Sequence, residues 1–499
     1  MKKIDKDECV ARRGALLPPH SFRCLRKSCN FAWPFIYCRF QGCSIHRSIS
    51  RTLYSSVTLA SFWLWIRSVC ASLHAPRARS IALFGIVGML VLLDADIAAA
   101  QDVRVRVLAD QSLDRVELVT SRRVPVHTHP DRSPLFHIEP GTVATLSVRR
   151  GDVHIEHGSD RISAAVLYLH APRQAATRFR SGGVERSYRG VFEVRPDGNT
   201  VELVNAVPLE SYVASVVASE CGLDDREGAK AMAVVARTYA LRGSDKFDGT
   251  YTHVDHTLSQ VYRGLSTITD ASRAAAEATR GEVLTYNGHL IEAVYFSSSG
   301  GHTANNEDVW DASEDLPYLR GRSDPYDSVS PHHTWQSTAN RATVLHGLER
   351  RFGGAVRGFF LGDTAHDGRL LTLELLRPNG SREAVQANAF RLAVNQAVGR
   401  EVLRSTWFDA RRSGNSYVFS GRGYGHGVGM SQWGAHGMAR AGRSYQDILS
   451  FYYQGATLTR IDDVQQPPPT LALDEPEAPA PMPAATESGR RESSTRIGW

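Results

Sequence analysis

The chain has 499 residues, 42% of them apolar and 22% charged, with a formal net charge of +6. That length and apolar content suit a large core and two to three domains, and they exclude a chain disordered throughout. The charge excess reads as small and spread along the chain, which argues against nucleic acid as a partner and leaves a polyanionic or envelope setting open.

Six of the seven cysteines precede residue 75, so Cys221 stands alone and cannot close an intrachain disulfide framework with the later sequence. The run "IALFGIVGMLVLL" (81–93) is short for a bilayer span, follows Arg77 and Arg79, and leads to small residues at Ala98 and Ala100. It reads as the apolar core of a signal peptide cleaved near Ala100. An exported protein of the periplasm or cell wall is therefore expected, with no stable membrane span after cleavage. Residues 1–100 then comprise this signal and an extension of doubtful authenticity, best explained by a start placed too early. The alternative is a genuine extension with a membrane anchor.

Residues 101–207 read as a β-rich N-terminal part, with strands near 103–108, 115–120, 142–148 and 164–170 and a hairpin over 190–207 turning at Pro196-Asp197-Gly198-Asn199. After Pro208, Leu209, Tyr212, Val213, Val216 and Val217 form the stripe of an amphipathic helix, and Glu220 takes its next position. A second helix, with Asp224 as N-cap and Glu227 three residues on, runs to about Arg242. A hairpin turning at "YNGH", a mixed α/β stretch over 340–420 and two helix-like segments after Gly429 complete a core over 208–461. The Pro/Ala/Glu-rich tail 464–499 reads as disordered. The expected fold class is α+β, a β-rich N-terminal part followed by a helical pair that carries Glu220 and by a mixed sheet.

Glu220 is either a solvated helix-end residue or an acid in a partly desolvated site, where burial raises its pKa toward that of a useful proton donor. A carboxylate also fits a helix C-terminus poorly. "YFSSSGGHTANNEDVW" (295–310) crowds hydroxyl, amide, carboxylate and aromatic groups as sugar sites do, although an ordinary polar loop has the same look. Ser299, His302 and Asp308 sit too close in sequence to favour a Ser-His-Asp triad. "GRGYGHGVGM" (421–430) fails the dinucleotide fingerprint in every register and lacks the Gly-Lys-Ser/Thr end of a phosphate loop. If extended, it puts its glycines on one side, open to another backbone or a flat ligand, and Arg422, Tyr424, His426 and Val428 on the other. Nineteen histidines form neither H-E-x-x-H nor paired Cys/His motifs, so no metal and no cofactor is expected.

Five segments, "VPLESYVASVVASE", "AKAMAVVARTYAL", "SQVYRG", "VYFSSSGGHTANNEDVW" and "GRGYGHGVGMSQWGAHGMARAG", resemble in this order the stage II sporulation protein D (SpoIID/LytB) family over roughly residues 101–461. The resemblance implies an exported lytic transglycosylase of peptidoglycan glycan strands, leaving 1,6-anhydro-MurNAc ends, with Glu220 catalytic. Other members are described as amidase enhancers, so a non-catalytic peptidoglycan-binding partner of a cell-wall amidase is the alternative. Cys221-Gly222 replace the family's Met-Pro after the glutamate. The zinc-ligand positions of some members are Val254 and Leu258 here. By motif position the resemblance points to Arg237, Gln260, Tyr262, Ser299, His302, Asn305, Glu307, Trp310, Arg422, Tyr424, His426 and Gln432 as lining the saccharide groove. Glu307 and Asp308 are the motif-borne candidates for a second carboxylate, should the chemistry be hydrolytic. The glycine run is expected to wall the groove opposite Glu220, with His426 and Gln432 turned toward sugar.

Overall fold

Strand Asp102–Val107 buries Val103, Val105 and Val107 and turns Arg104 and Arg106 outward, the alternation of a sheet with one face on a core. The computed structural model describes residues 102–464 apart from 131, 223–224, 244–246, 248 and 311–313. The signal segment, the extension before it, Asp224 and the tail beyond Val464 lie outside the described residues.

This strand belongs to a seven-stranded sheet ordered 253–254, 102–107, 200–208, 191–197, 167–170, 124–127, 136–138. A six-stranded sheet ordered 184–188, 177–181, 115–120, 143–149, 152–157, 160–164 contributes to the same core. Both are antiparallel except where Val105 and Arg106 meet His253 and Val254. In the 191–208 hairpin Asp197 pairs with Thr200, so Gly198-Asn199 make the turn.

The strand ending at Pro208 passes without a loop into helix α1, Leu209–Glu220. Helix α2, Arg226–Arg242, is capped by Asp225, whose side chain accepts from the Gly228 N–H, and not by Asp224. Helix α3, Asp270–Ala278, carries a Thr269/Ser272 capping box. A three-stranded sheet of 289–290, 282–286 and 457–460 follows, its hairpin turned at Asn287-Gly288 with both residues at positive φ. Between residues 334 and 422 the chain forms two further three-stranded sheets with α4, Arg341–Phe352, and α5, Ala387–Val398. Helices α6, Gln432–Arg440, and α7, Tyr445–Tyr452, follow, ahead of the strand at 457–460. The protein is thus α+β. Among the described residues, no helix is long and apolar enough to cross a membrane.

Two apolar cores result. The larger joins the sheet residues Val105, Leu118, Phe179 and Leu203 to Tyr212, Val213 and Val216 of α1 and Ala231–Ala236 of α2, so strands and helical pair are consolidated together. The smaller gathers Trp335, Val344, Leu348, Leu373, Phe390 and Phe419 within the 334–422 segment.

Arg237, expected in the groove, is fully buried on α2. Its guanidinium donates twice to Glu210 of α1, at 2.6 and 3.0 Å, and to the carbonyls of Ala276 at 3.0 Å and Glu282 at 3.1 Å. It therefore ties α1, α2 and α3 to the sheet beginning at Glu282. Glu210→Ala leaves that cation uncompensated in the interior and is expected to cost about 3–5 kcal/mol. Arg237→Met added to it should recover part of the loss, and urea unfolding of single and double variants measures both.

Candidate active site

Glu220 is the last residue of α1, and Cys221 leaves helical geometry at φ −113°, ψ 81°. Its side chain is partly buried. Two donors converge on one carboxylate oxygen: Val261 N–H at 2.8 Å and the Tyr295 hydroxyl at 3.1 Å, both to Oε1. A line of buried polar groups fixes that hydroxyl. Tyr212 donates to Gln260 Oε1 at 3.0 Å, and Gln260 Nε2 donates to the Tyr295 oxygen at 3.4 Å. The Gln432 amide holds the Glu220 main-chain carbonyl at 3.0 Å. Burial pushes the Glu220 carboxyl above the ordinary glutamate range, although the Val261 N–H, Tyr295, Gln432 and the charge of Arg263 act in the opposite direction.

Tyr295 is placed by the glycine run. Gly423, Gly425, Gly427 and Gly429 have φ of 72°, 106°, 93° and 77°, so the run is not the extended strip that its alternation implied. It winds along residues 294–299 so closely that a Cβ on Gly429 would lie 2.1 Å from the Val294 carbonyl oxygen, and one on Gly423 2.7 Å from that of Ser298. The run then pairs in parallel, Tyr295 with Met430 and Phe296 with Ser431. Buried Asp327 clamps the same crossing. It accepts from Ser298 Oγ, Gly300 N–H and His333 Nδ1 on Oδ2, and from Ser299 N–H and Ser431 Oγ on Oδ1, at 2.8–3.2 Å.

His426 Nδ1 accepts from the Val428 N–H at 3.2 Å, so Nε2 carries the proton and donates to the Tyr295 carbonyl at 2.9 Å. Burial lowers its pKa to about 4, which keeps the ring neutral. Its faces meet Trp310 and Phe296, with ring centroids 5.1 and 5.4 Å away. Both nitrogens are thus engaged by backbone, Nε2 by the main chain of Tyr295, whose hydroxyl reaches Glu220.

Gln260 and Gln432 come together around Glu220 through the Tyr295 hydroxyl and the helix end, and His426 holds the Tyr295 main chain; the other residues expected from the motifs do not share those bonds. Tyr262 is buried, donating to Asn205 at 3.0 Å. Ser299 is buried and its Oγ accepts from Gly301 N–H, His302 bonds the Thr303 carbonyl, and Asn305 bonds Asp308, so Ser299, His302 and Asp308 do not bond one another. Glu307 is paired with Arg320 at 2.7 Å. Arg422 lies over the Trp407 ring, 5.1 Å from its centroid, and Tyr424 donates to Glu401. Sequence reasoning passed over Tyr295, Arg263 and the Val261 N–H, although all three lie within the quoted motifs. Asp327 lies outside every motif and gave no local signal. Among the described residues, no three His, Cys, Asp or Glu side chains gather as a metal site.

Glu220 is thus a desolvated yet partly open carboxyl, held at a helix end of an α+β protein by a tyrosine and a main-chain amide. The profile of the family described as "Stage II sporulation protein" matches residues 197–286, which include Glu220 and Gln260. Stage II sporulation protein D of Bacillus subtilis (strain 168) is 33% identical over 281 residues, covering 52% of this chain and 76% of that protein. The amidase enhancer of the same organism is 32% identical over 281 residues, 47% of this chain and 38% of that protein. An uncharacterized protein of Brachyspira hyodysenteriae is 31% identical over 305 residues, 58% and 76% of the two chains. The chain belongs to the stage II sporulation protein D family.

Two outcomes follow from the electrostatics. Tyr295→Phe removes a donor that favours the carboxylate, so the Glu220 pKa should rise further, as read by NMR titration of the carboxyl carbon. Because folding raises this pKa, the native state binds the proton more tightly, and stability attributable to Glu220 falls as pH rises from the ordinary glutamate value through the raised one. Glu220→Gln keeps an acceptor for Val261 and Tyr295, so it should be at least as stable as the parent at pH 7 and lose that pH dependence in urea unfolding.

Proposed function

We propose that this protein is an exported lytic transglycosylase that cleaves MurNAc-GlcNAc linkages of peptide-free peptidoglycan strands. The observation that carries the reading is the state of Glu220: a carboxyl with raised pKa, partly open, its Oε1 occupied by two fixed donors. Oε2 is then the oxygen that carries the proton. Protonated Glu220 gives this proton to the glycosidic oxygen as the bond from C1 of the muramic acid breaks, and GlcNAc leaves with its hydroxyl restored. The resulting carboxylate takes the proton of the same muramic acid's 6-hydroxyl while O6 bonds to C1, which closes the 1,6-anhydro ring without consuming water.

A hydrolytic glycosidase of the usual kind needs a second carboxylate across the scissile bond. The motif-borne candidates have other partners, Glu307 with Arg320 and Asp308 with Asn305, which supports the one-carboxyl route. The second reading, a non-catalytic enhancer of a peptidoglycan amidase, is supported by the relative named amidase enhancer and by Cys221-Gly222 after the glutamate.

Incubation of the protein and its Glu220→Gln form with peptide-free glycan strands separates these readings. Anhydro-MurNAc ends seen by mass spectrometry, lost about 10²-fold or more in the variant, are the expected result. Reducing ends indicate hydrolysis. Absence of cleavage, with stimulation of an added amidase by both forms, establishes the enhancer.

A further inference from the structure

Charge is not spread evenly over the folded chain. Residues 331–422 contain thirteen arginines, no lysine and seven carboxylates, whereas residues 102–330 contain 25 basic and 32 acidic residues. The arginine-rich segment has its own apolar core, and at its surface lies a pocket of about 250 Å³. Arg341, Arg357 and Arg412 line it, together with Phe359, Ala410 and Tyr417.

Register explains the grouping. Arg412 stands opposite Tyr417 and Ala410 opposite Phe419, so these residues share one face of their sheet. Among the described residues two of the guanidiniums bond main chain, Arg341 to the Arg357 carbonyl at 2.6 Å and Arg412 to the Gly414 carbonyl at 3.2 Å. Nearby carboxylates are already engaged: Glu374 by Arg382 at 2.8 Å and Glu383 by Arg377 at 2.5 Å. None of the three pocket arginines pairs with a carboxylate among the described residues. Tyr417, 8% exposed, lines the pocket beside them. A Cβ on Gly358, also at the pocket, would stand 3.9 Å from its hydroxyl. Arg357 and Arg412 are exposed and Arg341 is half-buried, so the pocket presents three cations that no carboxylate of the described chain pairs, a setting that suits an anion with several oxygens.

We propose that this pocket binds a phosphate monoester borne on a sugar-sized ring. Guanidinium forks match phosphate oxygens pairwise. Three cations exceed what one carboxylate needs, and they suit the double charge of a phosphate monoester. The Tyr417 hydroxyl supplies a further donor, and the ring lies against Phe359. The site is separate from Glu220 and does not depend on the cleavage reading.

Calorimetric titration of the full chain with N-acetylglucosamine 1-phosphate tests this, with inorganic phosphate, N-acetylglucosamine and glucuronate run alongside. Saturable binding of the ester, at least tenfold tighter than glucuronate, is expected. Arg357→Ala and Arg412→Ala should each weaken it at least tenfold, and Tyr417→Phe several-fold, with unchanged circular dichroism and melting. Inorganic phosphate should bind more weakly and be lost in the same variants. Absence of ester binding, equal affinity for glucuronate, or unchanged affinity in all three variants overturns the proposal.

Discussion

Main chain at residues 294–299 and 423–429 approaches too closely to admit a Cβ, and the site is built on that approach. Alternate residues of the glycine run take positive φ, which non-glycine residues adopt only at a cost. The crossing sets Tyr295 beside Met430, brings the Ser431 hydroxyl to Asp327 and starts α6 where Gln432 reaches the end of α1. Asp327 then binds the crossing with five hydrogen bonds. Backbone proximity and a buried aspartate thus do together what a disulfide does elsewhere.

Glu220 shows how a low-polarity setting and hydrogen bonding are balanced. Desolvation disfavours its charged form, whereas the Val261 amide, Tyr295, Gln432 and Arg263 favour it, and burial prevails. The same competition at His426 is resolved toward the neutral ring. One group is thereby held ready to exchange a proton, and the other is kept from doing so.

Much of the scaffold was legible because local periodicity and turn chemistry agree with the fold. The α1 stripe gives both its start after Pro208 and Glu220 at its end, and Asn287-Gly288 marks its hairpin. Strands 124–127, 136–138, 152–157, 177–181 and 184–188 escaped notice, being three to six residues long and interrupted by His, Arg and Glu. The glycine run misled because alternation fits an extended strand as well as repeated left-handed φ, and only the neighbouring backbone decides between them. Motif position likewise does not separate a residue that faces a ligand from one that supports the chain. Arg237 and Tyr262 turned inward for that reason, each satisfying polar groups of elements distant in sequence, and Ser299 did so by holding the Gly301 N–H of its own loop. The apparent evenness of charge failed similarly, since a sum over the chain hides opposite excesses in two segments.

The direct passage from strand to α1 at Pro208 makes the position of Glu220 a matter of length. No loop absorbs slack between the sheet and Glu220, and a helix advances about 1.5 Å and turns about 100° per residue. One residue added within these twelve would swing the carboxyl away from Val261 and Tyr295 without altering any side chain that touches it. The helix is therefore a ruler as well as a support, and its sequence can drift more freely than its count.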